Sequence, residues 1–251
     1  MLIWLAPAFA LVAALYASVG FAGGSSYTAL LVLACVSLTL VPVISLACNI
    51  VVSAGGVVRF ARAGHIAWRR NGPLLILSVP LAWIGGRLAI SGPMLVMLLG
   101  ASLSVAGLLL LFGPDRSATR PPADPHSGPG LLAIAIAAPL GLLSGVVGIG
   151  GGIFLAPILH LMGWDSARRI AGTAALFILA NSAAGIAGQL TKLNDSALMA
   201  QAIDWWPLVL AVFIGGQRGS IIGTRHLPPA IIRRVTGLVV LVAAVRLLMA
   251  G

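Results

Sequence analysis

Apolar residues run along this chain in charge-poor blocks near 2–19, 26–41, 43–60, 73–90, 93–112, 130–147, 152–163, 170–190, 205–224 and 229–249. A bilayer core about 30 Å thick needs roughly 20 apolar residues per helical crossing, so the longer blocks predict membrane-spanning helices. The blocks 26–41 and 152–163 are too short to span comfortably and predict half-helices or re-entrant pieces. The pattern gives an all-α polytopic membrane protein.

The polar, proline-rich stretch over 114–129 cannot bury apolar area or carry a helix through its prolines, and it reads as a linker between repeats over 1–113 and 130–251. The two sides resemble each other. Val19-Gly20-Phe21-Ala22-Gly23-Gly24 aligns with Val147-Gly148-Ile149-Gly150-Gly151-Gly152 at an offset of 128 residues. Leu46-Ala47-Cys48-Asn49 aligns with Ile178-Leu179-Ala180-Asn181 at 132, and Trp83-Ile84-Gly85-Gly86-Arg87 with Phe213-Ile214-Gly215-Gly216-Gln217 at 130. Three matches in one order predict an internal repeat of about five helical segments per half.

Charge placement predicts how the halves are oriented. In the first half Arg59, Arg62, Arg69 and Arg70 follow the third block, whereas in the second half Arg168, Arg169 and Arg225 occupy the loops that are uncharged in the first. Because Lys and Arg mark the cytoplasmic side, this exchange predicts inverted repeats, with the linker inside and both termini outside. An odd number of crossings per half gives the same result.

Composition sharpens the class. With 60% hydrophobic and 8% charged residues and a mean hydropathy of +1.10, the chain lies outside the range of soluble domains. The net charge of +10 sits mostly in short loops, which argues for topology rather than nucleic-acid binding. Met1–Val19 lacks a basic leader and reads as a retained helix. Cys35 and Cys48 read as packing thiols within apolar blocks. No Walker motif and no carboxylate at a block centre are present, which disfavours ATP hydrolysis and a carboxylate cation site.

The candidate chemistry centres on the glycines. A triple glycine holds a helix poorly, so Gly150, Gly151 and Gly152, with Gly23 and Gly24 in the first copy, predict helix breaks. Irregular backbone at membrane depth is tolerated where it is buried in protein or lines a wet cavity, and a helix restarting there offers free N–H groups to an anion. Ser25 and Ser26 follow the first break, and Asn49 and Asn181 occupy matched positions in the third block of each half, where an amide can donate to an oxyanion. Arg87 and its counterpart Gln217 supply a charge and a further hydrogen-bonding group, although Arg87 is also near enough to a block end to reach the interface. Ser182, Thr173, Gln189 and His160 are weaker candidates.

With Gly148, Gly150, Gly151, Gly152, Pro157, Asn181 and Ile214-Gly215-Gly216, the chain resembles the TauE/SafE sulfite exporter family along nearly its whole length. The first glycine copy departs from the pattern at Ala22 and Ala29. The resemblance implies export of sulfite, an organosulfonate or a related small anion across the bacterial inner membrane, without enzymatic activity, cofactor or metal. The alternatives are a passive anion channel and a non-transporting membrane scaffold. The implied partners are a small anion and the lipid bilayer. Proton coupling and homo-oligomer formation are left open.

Overall fold

The computed structural model describes residues 2–18, 20–88, 90–112, 128–192, 201–226 and scattered positions between 234 and 249. Among the described residues the chain is all-helical: α1 (Leu2–Ala17), α2 (Gly24–Leu33), α3 (Leu40–Arg62), α4 (Trp68–Arg87), α5 (Gly92–Phe112), α6 (Leu131–Val147), α7 (Gly152–Leu161), α8 (Ala167–Leu190) and α9 (Trp206–His226). The predicted linker and most of the predicted block 229–249 lie outside the described residues.

Two boundaries differ from the sequence expectation. The block 26–41 ends as a helix at Leu33, and α3 begins at Leu40, ahead of the predicted start. Pro42 falls in the first turn of α3, where its missing N–H removes no intrahelical bond, so the helix runs through it. Cys35 therefore lies in a turn rather than within an apolar segment; it is exposed and has a positive φ of 56°.

α2 and α7 are ten residues each, about 15 Å of helix at 1.5 Å per residue, half of a bilayer core. Their ends match in detail. Gly20 and Gly148 close the preceding helices with φ of 87° and 79°, and Gly23 and Gly151 open α2 and α7 with φ of 93° and 72°. After each short helix a left-handed residue, Cys35 in one case and Gly163 in the other, turns the chain, and Val36 and Trp164 donate back to Leu31 and Leu159. The break departs where its sequence does: Gly150 has a φ of 84°, whereas its counterpart Ala22 is not left-handed.

α3 and α8, of 23 and 24 residues, pack against each other at the centre and are long and apolar enough to cross a membrane. Around them helices from the first and second halves of the sequence interlock, α1 on α9 and α4 on α6. These crossings are close because Gly145 and Gly215 lack side chains; a β-carbon there would overlap the carbonyls of Ala82 and Ala10 respectively. The periphery is apolar, with Ile3 92% and Leu131 83% exposed, while Asn49, Asn181, Ser45 and Ser182 are fully buried. Apolar outside and polar inside is the arrangement expected of a helical bundle whose surroundings are lipid.

One end of the bundle gathers the basic loops. Arg70 at the start of α4 pairs with the buried Asp165 before α8 at 3.0 Å, stacks 4.2 Å over Trp164, and donates to the Trp164 carbonyl. Arg169 approaches Asp165 at 3.7 Å, and the Trp164 indole donates to the Pro129 carbonyl just ahead of α6. Partial burial, and then the charges of Arg168 and Arg169, push the imidazole of His65 below its ordinary range.

Because Cys35 occupies a left-handed position that its counterpart fills with glycine, Cys35→Gly is expected to stabilise the protein by about 1 kcal/mol. A raised melting temperature in detergent would bear this out, and a lowered one would contradict the turn geometry.

Candidate functional site

The first residues of α2 and the turn before α7 meet. A β-carbon at Gly24 would overlap the side-chain amide of Asn49 and come within 2.8 Å of the Ile149 carbonyl oxygen. At Gly150 it would lie 2.9 Å from Ser182 Oγ and 3.2 Å from Asn49 Nδ2. The Asn49 amide on α3 thus touches both glycine breaks, and Ser182 on α8 touches the second. Glycine at both positions is what permits this approach.

The helix starts at this point are open. Gly23 and Gly151 offer no side-chain cap to α2 or α7. Ser26, Gly152 and Phe154 donate to the carbonyls of Gly23, Gly150 and Gly151, which leaves the N–H groups of Gly24, Ser25 and Ile153 without a backbone acceptor, with the positive end of a helix dipole behind them. Gly24 is held from behind: Ser45 Oγ and Thr28 Oγ1 both donate to its carbonyl oxygen, at 3.0 and 2.9 Å.

The polar side chains are buried and unpartnered within the protein. Asn49 Nδ2 and Oδ1, Asn181 Oδ1, Ser182 Oγ and Ser144 Oγ have no hydrogen-bond partner, and all four residues are fully buried. Ser144 backs the second break, its β-carbon 3.3 Å from where one at Gly151 would lie. Each unpartnered buried group costs about 1–3 kcal/mol, so a cluster of them is retained where something outside the chain completes it. Asn181 is half-satisfied, its Nδ2 donating to the Phe177 carbonyl at 2.8 Å.

The remaining expected residues are placed as follows. Ser25 and Ser26 are buried and share the Tyr16 hydroxyl, at 3.4 and 3.0 Å, which fixes the first turn of α2 against α1. Gly152 packs on Ile178 and Ala174 of α8. Arg87 stays outside the cluster; it is exposed, with its guanidinium 4.6 Å over the Trp83 ring. Gln217 is not joined to it, but accepts from Arg59 Nη1 at 2.6 Å. Arg59 is ten residues beyond Asn49 on α3, about 15 Å along the helix. Among the weaker candidates, Thr173 donates to Asn71 at 3.0 Å and Gln189 to the Gly145 carbonyl at 2.8 Å, both holding helices together.

Residues 5–247 match the family model described as Sulfite exporter TauE/SafE. The chain belongs to this family. It is 32% identical over 246 residues, 98% of each chain, to the probable membrane transporter protein y4hK of Sinorhizobium fredii (strain NBRC 101917 / NGR234). It is 28% identical over 191 residues, 72% of this chain and 69% of the other, to a probable membrane transporter protein of Xylella fastidiosa (strain 9a5c). No solved structure matches it. As a TauE/SafE protein the chain is a membrane transporter, and the break cluster is its candidate substrate site.

Ser182 draws no support from the repeat, because its counterpart at the offset of 132 residues is the apolar Ile50. The Ile149 carbonyl, a backbone group, carries no side-chain signal. Ser144 was detectable, being the counterpart of Tyr16 at the glycine-motif offset of 128.

Gly24→Ala is expected to cost about 1–3 kcal/mol, since the added methyl must displace the Asn49 amide or the Ile149 carbonyl. Gly72→Ala, in a helix with open space around it, should be neutral or stabilising. Melting curves of the two variants in detergent check this contrast, and equal effects would contradict the close approach at Gly24.

Proposed function

We propose that this transporter exports a small sulfur-containing anion, sulfite or an organosulfonate, across the bacterial inner membrane by alternating access, binding it between the two glycine breaks. The observation that carries this reading is the fully buried Asn49 amide, unpartnered and in contact with both breaks. Asn49, Ser182 and the open N-termini of α2 and α7 supply the donors an oxyanion needs, without competition from water. Asn181, Ser25, Ser26 and the glycines 23, 24 and 150–152 shape the site. Arg87 and Gln217 stand away from it, Arg87 over Trp83 and Gln217 bonded to Arg59.

The repeats over 1–113 and 130–251 are inverted in this reading, with the linker and the basic loops cytoplasmic. The interlocked packing of α1 on α9 and α4 on α6 supports it, since each half embraces the other about the central α3–α8 pair. The Arg70–Asp165 pair then closes the cytoplasmic end. A buried binding amide favours a carrier over a continuous channel.

Flux of sulfite from loaded proteoliposomes is the test. Saturable flux with counterflow is expected, and Asn49→Ala combined with Asn181→Ala should reduce it by about tenfold or more, the equivalent of losing one hydrogen bond to a charged group. Unchanged flux in the double variant would overturn the site, and non-saturating flux would favour the channel.

A further inference from the structure

The partners that the break cluster leaves unmet specify more than an anion. Besides donors, the site presents acceptors: the Asn49 amide has an unpartnered oxygen as well as an unpartnered nitrogen. Whichever way that amide is turned, it needs one acceptor and one donor from outside the chain. At Asn181, one helical turn from Phe177, whose ring abuts Gly151, the nitrogen is committed to the Phe177 carbonyl, so the unpartnered atom is the acceptor oxygen. The Ile149 carbonyl oxygen faces the same approach at Gly24.

The site also lacks charge. Among the described residues the buried charged side chains are Arg70 and Asp165, and these neutralise each other at the end of the bundle. The Arg59 guanidinium lies beside Gly55, six residues or about 9 Å along α3 from Asn49, where Nη1 donates to Gln217 and Nε and Nη2 are unpartnered. Helix N-termini contribute roughly half a positive charge each, enough to compensate a single negative charge but not two in a dry site.

We propose that the transported species is a monoanion carrying its own hydrogen-bond donor, a hydrogen sulfite or a hydroxy- or aminosulfonate, and that dianions and donor-less anions are rejected. The ligand's negative oxygens take the Asn49 nitrogen, the Ser182 hydroxyl and the helix N–H groups, while its O–H or N–H satisfies an Asn49 or Asn181 oxygen. A dianion leaves those oxygens unpaired and brings a second charge that nothing in the site balances. This rests on the reading of the cluster as the binding site for the exported anion.

Isethionate and ethanesulfonate separate the two parts of the argument, because they are monoanions of similar size differing by one hydroxyl. Binding to the full-length protein is measured in detergent by thermal protection and in proteoliposomes by competition with sulfite flux. Isethionate is expected to bind about tenfold more tightly than ethanesulfonate, and sulfate to bind weakest. Sulfite should bind more tightly below its second ionisation than above it, with isethionate as the control whose charge does not change. Asn181→Leu should bring isethionate down towards ethanesulfonate. If the variant does not fold, the wild-type comparison of the three anions decides alone. Equal binding of isethionate and ethanesulfonate, or sulfate binding as well as either, would overturn this proposal while leaving an anion site intact. If no sulfur oxyanion or sulfonate protects the protein or competes at any pH, the anion-site reading falls and this proposal falls with it.

Discussion

The approach of two glycine breaks around the Asn49 amide is the constraint on which the rest of the architecture rests. α2 and α7 are each too short to cross a bilayer, so their free ends must lie inside the bundle, where backbone groups cannot be left to lipid. Bringing those ends together requires that neither Gly24 nor Gly150 carry a side chain, because the space a β-carbon would take is occupied by the amide and by the facing break. The left-handed turns at Gly20, Gly23, Gly148, Gly150 and Gly151 aim the ends inward.

The long helices follow from that meeting point. α3 and α8 supply the side chains that line it, and they are held at the centre because α1 and α4 cross to helices from the second half of the sequence. Charge is kept away from the middle: Arg70, Arg169 and Asp165 bind the loops at one end, and Arg87 lies over Trp83 near the end of α4. The centre is therefore polar but neutral. In the proposed reading the anion is held by oriented dipoles and hydrogen bonds, which select by the number of charges and by donor pattern more sharply than a lone arginine would.

Much of this was legible in the residues. The glycine motifs located both breaks to the residue, and the matched Asn49 and Asn181 pointed to the two central helices, because glycine and intramembrane amides have few roles at such depth. What was not legible depended on contacts across the fold. The pairing of Gln217 with Arg59 rather than Arg87 follows from how α9 sits on α3, which no spacing along the chain reveals. The end of α2 at Leu33 depended on a left-handed Cys35, a residue type that rarely marks a turn. The asymmetry of the breaks was visible as Ala22 against Gly150, and the backbone follows it.

The central claim, that the two breaks enclose the anion between Asn49 and Ser182, is tested most directly by locating an electron-rich analogue. Crystals grown with selenite, with data collected at the selenium edge, should show an anomalous peak within hydrogen-bonding distance of Asn49 Nδ2 and Ser182 Oγ. A peak at Arg59 or Arg87 instead, or none between the breaks, would contradict the account.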